Sequence, residues 1–176
     1  MIPTLTTNRL ILRAPTEADF DPFAAFYAGE RSHFVGGPLT REAAWRMLAM
    51  EAGHWVLRGY GRWIVEYTGT PVGMVGLFNP EGWPEPEIGW DLFDGHEGMG
   101  FATEAARAAR RYAYDTLGWA TAISLVKPAN TGSARVAERL GCVRDGAYSH
   151  ERHGVLHIWR HPAPGTLATA EAEGVA

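Results

Sequence analysis

One stretch of this chain gathers residue types that can do chemistry. A mostly apolar segment, EIGWDLF (87–93), runs into a glycine-broken turn, DGHEGMG (94–100), and then a helix-like run, FATEAARAARRYAYDTLG (101–118). Gly98 and Gly100 leave the backbone bare where it turns into a helix. The first N–H groups of a helix have no internal partners and point outward, so such a turn can seat a phosphate or another anion. Many helices start after glycine for turn reasons alone, so this signal needs company. A dinucleotide fingerprint would need a third glycine where Thr103 stands and an acid at the end of the next strand; that strand ends Val126-Lys127-Pro128. A P-loop would need Gly-Lys-Ser or Gly-Lys-Thr, and neither tripeptide occurs.

Other candidates lie around this stretch. Glu87 opens the 87–93 segment after Pro86; taken alone it is a solvent-facing strand-end glutamate. Glu104 falls in the first helical turn, where the dipole favours an acid, and a structural role suits it best. Asn130 and Ser133 open a further helix, with Asn130 as its cap; capping and ligand contact can coexist there. Arg135 follows on a solvated helix face, within possible reach of a phosphate. His150, His153, His157 and His161 invite a metal, but no nearby Cys or Asp completes a ligand set, so no metal is expected. Cys142, the single cysteine, reads as a small buried hydrophobe at a helix end.

The elements that position these residues alternate between the two periodicities. Residues 7–14 alternate around Leu10 and Leu12 as a first strand. Thr16 with Asp19 makes a capping-box start for a helix bearing Phe20, Phe23, Ala24 and Tyr27, closed at Gly29. Thr40 opens a second helix to about Arg58, with Ala44, Met47, Leu48 and Glu51 stepping by threes and fours. Strands follow at 61–67, 72–78 and 87–93, the first two joined by the turn Thr68-Gly69-Thr70-Pro71. The insert NPEGWPEP (79–86) holds three prolines and must be a loop. Residues 101–117 form the clearest helix, whose alanines make a narrow face able to lie close on a sheet. A strand at 119–126, a helix at 130–140 and a hairpin of 143–149 with 155–161 complete one domain over 1–161; 162–176 reads as a flexible tail.

Composition narrows the function. A chain of 176 residues, 46% apolar, suits one globular domain and excludes a disordered or fibrous one. Net charge is −4 with no basic block, which argues against nucleic acid as a partner. No apolar run is long enough to cross a bilayer, and MIPTLTTNRLILR has no signal-peptide pattern, so the expected location is the cytoplasm.

Three segments, in order, carry a resemblance to a known family. TNRLILRAPTEADFDPF (7–23), EIGWDLF followed by EGMGFATEA (97–105), and PANTGSARVAERLGCVRDG (128–146) resemble the GNAT superfamily of acyl-CoA-dependent N-acetyltransferases, within it the RimJ/RimL-like branch that acetylates protein N-termini and assorted amines. The likeness extends over roughly 4–161. It implies an α/β fold: a strongly twisted mixed sheet of about seven strands flanked by about four helices, splayed between the 87–93 and 119–126 strands.

The resemblance implies acetyl-CoA as cosubstrate in that splay, with no metal and no covalent enzyme intermediate. Pantetheine would pair with backbone near Asp91, Leu92 and Phe93, and the pyrophosphate would sit on N–H groups of Gly98, Met99, Gly100, Phe101, Ala102 and Thr103. Asn130 and Ser133 stand at the matching positions of the second cofactor motif. Glu87 becomes a candidate base, acting through water on an amine that is mostly protonated at neutral pH. Two positions depart: Glu97 stands where Gln, Arg or Trp is usual, and Ala137 where many members carry the Tyr that protonates the leaving thiolate. Ser133 is then the nearest substitute acid. The amine acceptor would lie between 31–39 and 79–86, with Trp83 as a wall, while Tyr148 suits either the hairpin or the cleft. A catalytically silent acyl-CoA sensor is the rival expectation, and a homodimer is an open possibility.

Overall fold

The computed structural model describes residues 1–167. Twelve elements order the chain: β1 (Leu5–Thr6), β2 (Leu10–Arg13), α1 (Phe20–Ala28), α2 (Arg41–Arg58), β3 (Arg62–Tyr67), β4 (Thr70–Phe78), β5 (Glu87–Leu92), α3 (Phe101–Asp115), β6 (Ile123–Val126), α4 (Thr131–Arg139), β7 (Val143–His150) and β8 (Gly154–Arg160). Short 3₁₀ turns, Glu17–Asp19 and Glu30–Phe34, precede and follow α1. The eight strands form one sheet in the order β1-β2-β3-β4-β5-β6-β8-β7. Every neighbouring pair is antiparallel except β5 with β6.

The expected mixed α/β fold is present, with one strand more than anticipated. The single strand expected at 7–14 is a small hairpin. The Thr7 N–H donates to Leu10 O at 2.9 Å and the Thr7 hydroxyl accepts the Leu10 N–H, so the chain reverses over Thr7–Arg9 and β1 pairs back on β2. The strand expected at 119–126 begins only at Ile123, because Trp119 N–H is bonded to Ala113 O (3.0 Å) in the return from α3. That return also ends α3 at Asp115, short of Leu117. Thr68 and Gly69, both with positive φ, make a two-residue turn, so β4 starts at Thr70.

Each face of the sheet carries its own core. Ala105, Ala106, Ala109 and Ala113 of α3 are fully buried against Leu10, Trp63, Val65, Val75 and Ile88, and side chains this small let the helix lie close on the strands. On the other face Phe23, Phe26 and Tyr27 of α1 and Leu48 of α2 pack on Ile64, Met74 and Phe93. Thr40 caps α2 by accepting the Ala43 N–H at 3.2 Å. Chain beyond 161 is docked as far as the described residues go: Pro162 O accepts the Tyr114 hydroxyl at 2.9 Å, a turn of helix spans 164–167, and Leu167 joins the α3-side core. The rest of the expected tail, 168–176, lies outside the described residues.

Candidate active site

The site begins with a gap in the sheet. β5 and β6 share one register pair, Glu87 with Ile123, and then part. Peptide direction on β5 alternates. Phe93 N–H donates to Val72 O (2.9 Å), and a Cβ on Gly73 would come within 2.3 Å of Asp91 O, so odd-numbered residues turn their peptide groups toward β4. Even-numbered residues face β6: Ile123 N–H donates to Pro86 O at 3.0 Å, and Ile88 O accepts the Ser124 hydroxyl at 2.6 Å. Past Ile88 that side of β5 has no strand partner among the described residues, and the backbone of Trp90 and Leu92 borders an open cleft of about 1400 Å³. Of the three residues expected to pair with pantetheine, only Leu92 turns its backbone to the cleft. The peptide groups of Asp91 and Phe93 belong to the β4 ladder, and Phe93 packs in the α1-side core. Trp90 was missed; the strict alternation of a strand is the signal that finds it once the neighbouring strand is known.

The same cleft runs to the start of α3. Gly98, Met99, Gly100, Ala102 and Thr103 line it, whereas the Phe101 side chain is fully buried in the core. Gly98 and Gly100 have φ of +74° and +81°, the left-handed region that L side chains resist, so both glycines answer a conformational need. Among the first-turn N–H groups, the first with a helical acceptor is that of Glu104, bonded to Gly100 O at 3.1 Å. The Thr103 hydroxyl is buried with no hydrogen-bond partner among the described residues, in a residue that lines the cleft. An orphaned hydroxyl beside free helix N–H groups fits a phosphate oxygen.

Across the cleft, Asn130 caps α4 by accepting the Ser133 N–H at 3.1 Å, and Ser133 Oγ accepts the Trp90 indole N–H at 3.2 Å. The Ser133 hydroxyl proton therefore stays available to the cleft. Arg107, Arg111, Arg135 and Arg139 line the far end, and none of the four pairs with an acid among the described residues. Glu104 has the structural role expected of it: it accepts from Thr7 Oγ1 (2.6 Å), Arg9 N–H (3.0 Å) and Arg9 Nε (2.7 Å), fastening the N-terminal hairpin to α3. Burial pushes its carboxyl up, but these donors outweigh it and hold it below the ordinary range. Glu97 does not face the cleft as a lone charge, since Arg31 lies 2.6 Å away.

Glu87, the candidate base, sits at the apex where the strands part, and it is buried, 8% exposed, unlike the solvent-facing glutamate that its place in the sequence suggests when taken alone. Its Oε1 accepts the Leu125 N–H (3.0 Å), in place of the β5 backbone that a continuous sheet would offer, and its Oε2 accepts the Trp83 indole N–H (2.6 Å). Burial raises its pKa to about 7, against the downward pull of these two donors and of Arg62. Below it, under α1 and α2, lies a buried ion cluster. Arg62 donates to Asp91 Oδ2 at 2.6 Å and to Glu51, and Tyr27 donates to the same Asp91 oxygen at 3.3 Å. Burial works against the Arg62 charge, but the two carboxylates outweigh it and hold the guanidinium firmly protonated. Glu51 was read as part of the apolar stripe of α2; a glutamate on such a stripe is the sequence signal for a buried partner.

The opposite side of the apex is lined with rings. Trp83 stacks edge-on with Phe78, His150 and His153 at centroid distances of 5.3 to 5.8 Å, and a Cβ on Gly36 would lie 3.3 Å from the His153 ring. Tyr148 joins the hairpin to the insert, donating to Gly82 O at 2.8 Å. Thus 31–39, the insert 79–86 and the β7–β8 turn converge. The four histidines do not. His157 meets Arg144, and His161 is buried against Ser124 (2.9 Å) and Arg110 (3.3 Å), where burial pushes its pKa down to about 3. Among the described residues no group of three or more His, Cys, Asp or Glu gathers to hold a metal. Cys142 is buried, which pushes its thiol up to about 12. No helix among the described residues is long and apolar enough to cross a membrane.

Comparison with known proteins bears on the fold and the family. The family model for the acetyltransferase (GNAT) domain matches residues 9–143. An acetyltransferase of Agrobacterium tumefaciens, solved by crystallography, is 38% identical and superposes with a TM-score of 0.85 over 92% of this chain and 95% of its own. The uncharacterised N-acetyltransferase YoaA of Bacillus subtilis is 28% identical over 152 residues, 83% of this chain and 86% of YoaA. The uncharacterised protein YkkB of the same organism is 37% identical over 90 residues, 48% of this chain; the match spans about half of YkkB, 52%.

Proposed function

The chain belongs to the GNAT acetyltransferase family and is an N-acetyltransferase; from that premise we propose that it moves an acetyl group from acetyl-CoA to a primary amine by direct attack in a ternary complex. The amine is that of a protein or peptide N-terminus or of a small molecule. We place the chain in the RimJ/RimL-like branch on its 7–23, 97–105 and 128–146 segments, with 1–161 as the catalytic unit working in the cytoplasm.

One observation carries the reading. The open edge of β5 leads without interruption to the free N–H groups and the orphaned Thr103 hydroxyl at the start of α3. An extended amide chain ending in a diphosphate matches that sequence of donors and acceptors. Leu92 and Trp90 hold the pantetheine by their backbone, and residues 98–103 hold the diphosphate. Asn130 keeps the α4 turn in place, and the far-end arginines, which meet no acid among the described residues, suit the remaining phosphate.

Glu87 takes the proton from the amine through water, and its pKa of about 7 matches that task near neutral pH. The amine nitrogen bonds to the thioester carbonyl carbon, and the carbon–sulfur bond breaks. Ser133, its Oγ oriented by Trp90, gives its proton to the departing thiolate and regains one from solvent. Ala137 cannot serve as that acid; it is a fully buried alanine in the core.

The test is a thermal shift followed by turnover. Acetyl-CoA should raise Tm, as any ligand that binds only the native state must. Release of free CoA should then depend on an amine from a panel of peptides, polyamines and aminoglycosides. No shift at millimolar acetyl-CoA would overturn the donor assignment; a shift without CoA release across the panel would favour a sensor of acyl-CoA.

A further inference from the structure

Arg31 belongs to the 3₁₀ turn Glu30–Phe34, which leads into the 35–39 segment beside the ring-lined side of the apex. Its guanidinium nevertheless works on the opposite wall. Nη1 donates to Leu92 O at 3.1 Å and to Asp94 Oδ1 at 2.6 Å, and it lies 2.6 Å from Glu97 Oε1. The side chain passes over the Phe26 ring, 5.7 Å from its centroid. Gly29 lets the two segments approach, since a Cβ there would already stand 3.3 Å from Asp94 Oδ2.

Ion pairs as exposed as these, with side chains 41% to 58% accessible, add little to fold stability. Their consequence is one of placement. They put a cation at the last open carbonyl of β5 and against both acids of the glycine turn, Asp94 and Glu97. A diphosphate resting on residues 98–103 would meet the Glu97 carboxylate as a like charge, and a guanidinium between them converts that repulsion into a bridge. Only Nη1 is engaged; Nη2 and Nε have no protein partner among the described residues. The remaining donors of the fork are free for an anion.

We propose that Arg31 is a donor-binding residue supplied by the acceptor-side segment, spanning Glu97 and the diphosphate of the acyl donor. The inference rests on the acetyl-CoA reading above. It also couples the donor to the acceptor side of the cleft. Further along the same segment Lys127 donates to His33 O and Gly36 abuts His153, so fixing Arg31 on the donor fixes the wall that receives the amine.

The experiment compares CoA with pantetheine, which lacks the diphosphate, on wild type and Arg31→Gln by calorimetry. Hydrogen exchange over 30–39 is followed with and without CoA. The variant should raise the Kd of CoA by about tenfold or more and that of pantetheine by less than about twofold, with Arg31→Lys recovering part of the loss. CoA should protect 30–39 in wild type and not in Arg31→Gln. Equal weakening of both ligands would reduce Arg31 to a structural tie, and unchanged CoA affinity or persistent protection in the variant would also overturn the proposal. CoA that fails to bind wild type would overturn the donor reading and this inference with it; tight binding to both proteins removes only the role of Arg31.

Discussion

Glu87→Gln separates catalysis from architecture at the apex of the cleft. The native carboxyl has a pKa of about 7 against 4.5 for the ordinary group, raised mainly by burial. The unfolded chain therefore releases this proton near 4.5 and the native protein holds it to about 7. Between those values the native state binds more protons, so stability falls as pH rises through the window, by about 3 kcal/mol at most. Glutamine has no proton to lose, and that slope should vanish. It does carry a cost. With its oxygen kept on the Leu125 N–H, its amide nitrogen faces the Trp83 indole N–H, two donors together, at about 1–3 kcal/mol. The variant should be less stable than wild type at pH 5 by roughly that amount and equal or more stable at pH 8. Urea unfolding across pH 5–8 reads this directly. Activity should respond differently: kcat falls by about 10²–10⁴ at neutral pH, the wild-type rise through about 7 disappears, and acetyl-CoA affinity is unchanged. A variant that keeps full kcat with the same pH profile would show that Glu87 only anchors the Leu125 N–H.

Thr103→Val should move binding and stability in opposite directions. Removing an unpartnered buried hydroxyl should leave stability unchanged or raised by up to about 1 kcal/mol, while acetyl-CoA affinity falls several-fold; a parallel loss of both would mean the hydroxyl has a protein partner. Gly100→Val places a branched side chain at φ +81° with Arg9 Nη2 3.3 Å from its Cβ, which should cost about 1–2 kcal/mol in Tm-derived stability and about tenfold or more in acetyl-CoA affinity. Unchanged affinity in the folded variant would remove the diphosphate from this turn. Arg62→Met strands Glu51 and Asp91 as buried unpaired acids and should destabilise by about 3–5 kcal/mol in urea; a loss below about 1 kcal/mol would mean that water already reaches the cluster.

Much of this molecule can be read along the chain, because the forces responsible are local. Gly98 and Gly100 announce a bare turn, alanine spacing announces α3, Asn130 announces the cap of α4, and Thr16 with Asp19 the start of the first helical segment. Each depends on neighbours within a few residues, and each stands where its pattern put it. The site adds what no local pattern carries. Whether Trp90 or Asp91 offers its backbone to the cleft depends on which side of β5 pairs with β4, and so on a register between distant strands. Glu51 and Arg62 look like a helix-stripe anomaly and a strand-end charge until α2 lies on the sheet and brings them together away from water. Glu87 looks like an exposed acid until β6, 36 residues on by register, places Leu125 against it and burial lifts its pKa. Arg31 and Glu97 are separated by a helix and three strands, and only the folded chain makes them neighbours. Periodicity and capping are short-range and leave their mark in spacing, whereas desolvation and charge pairing are set by what arrives from elsewhere in the chain.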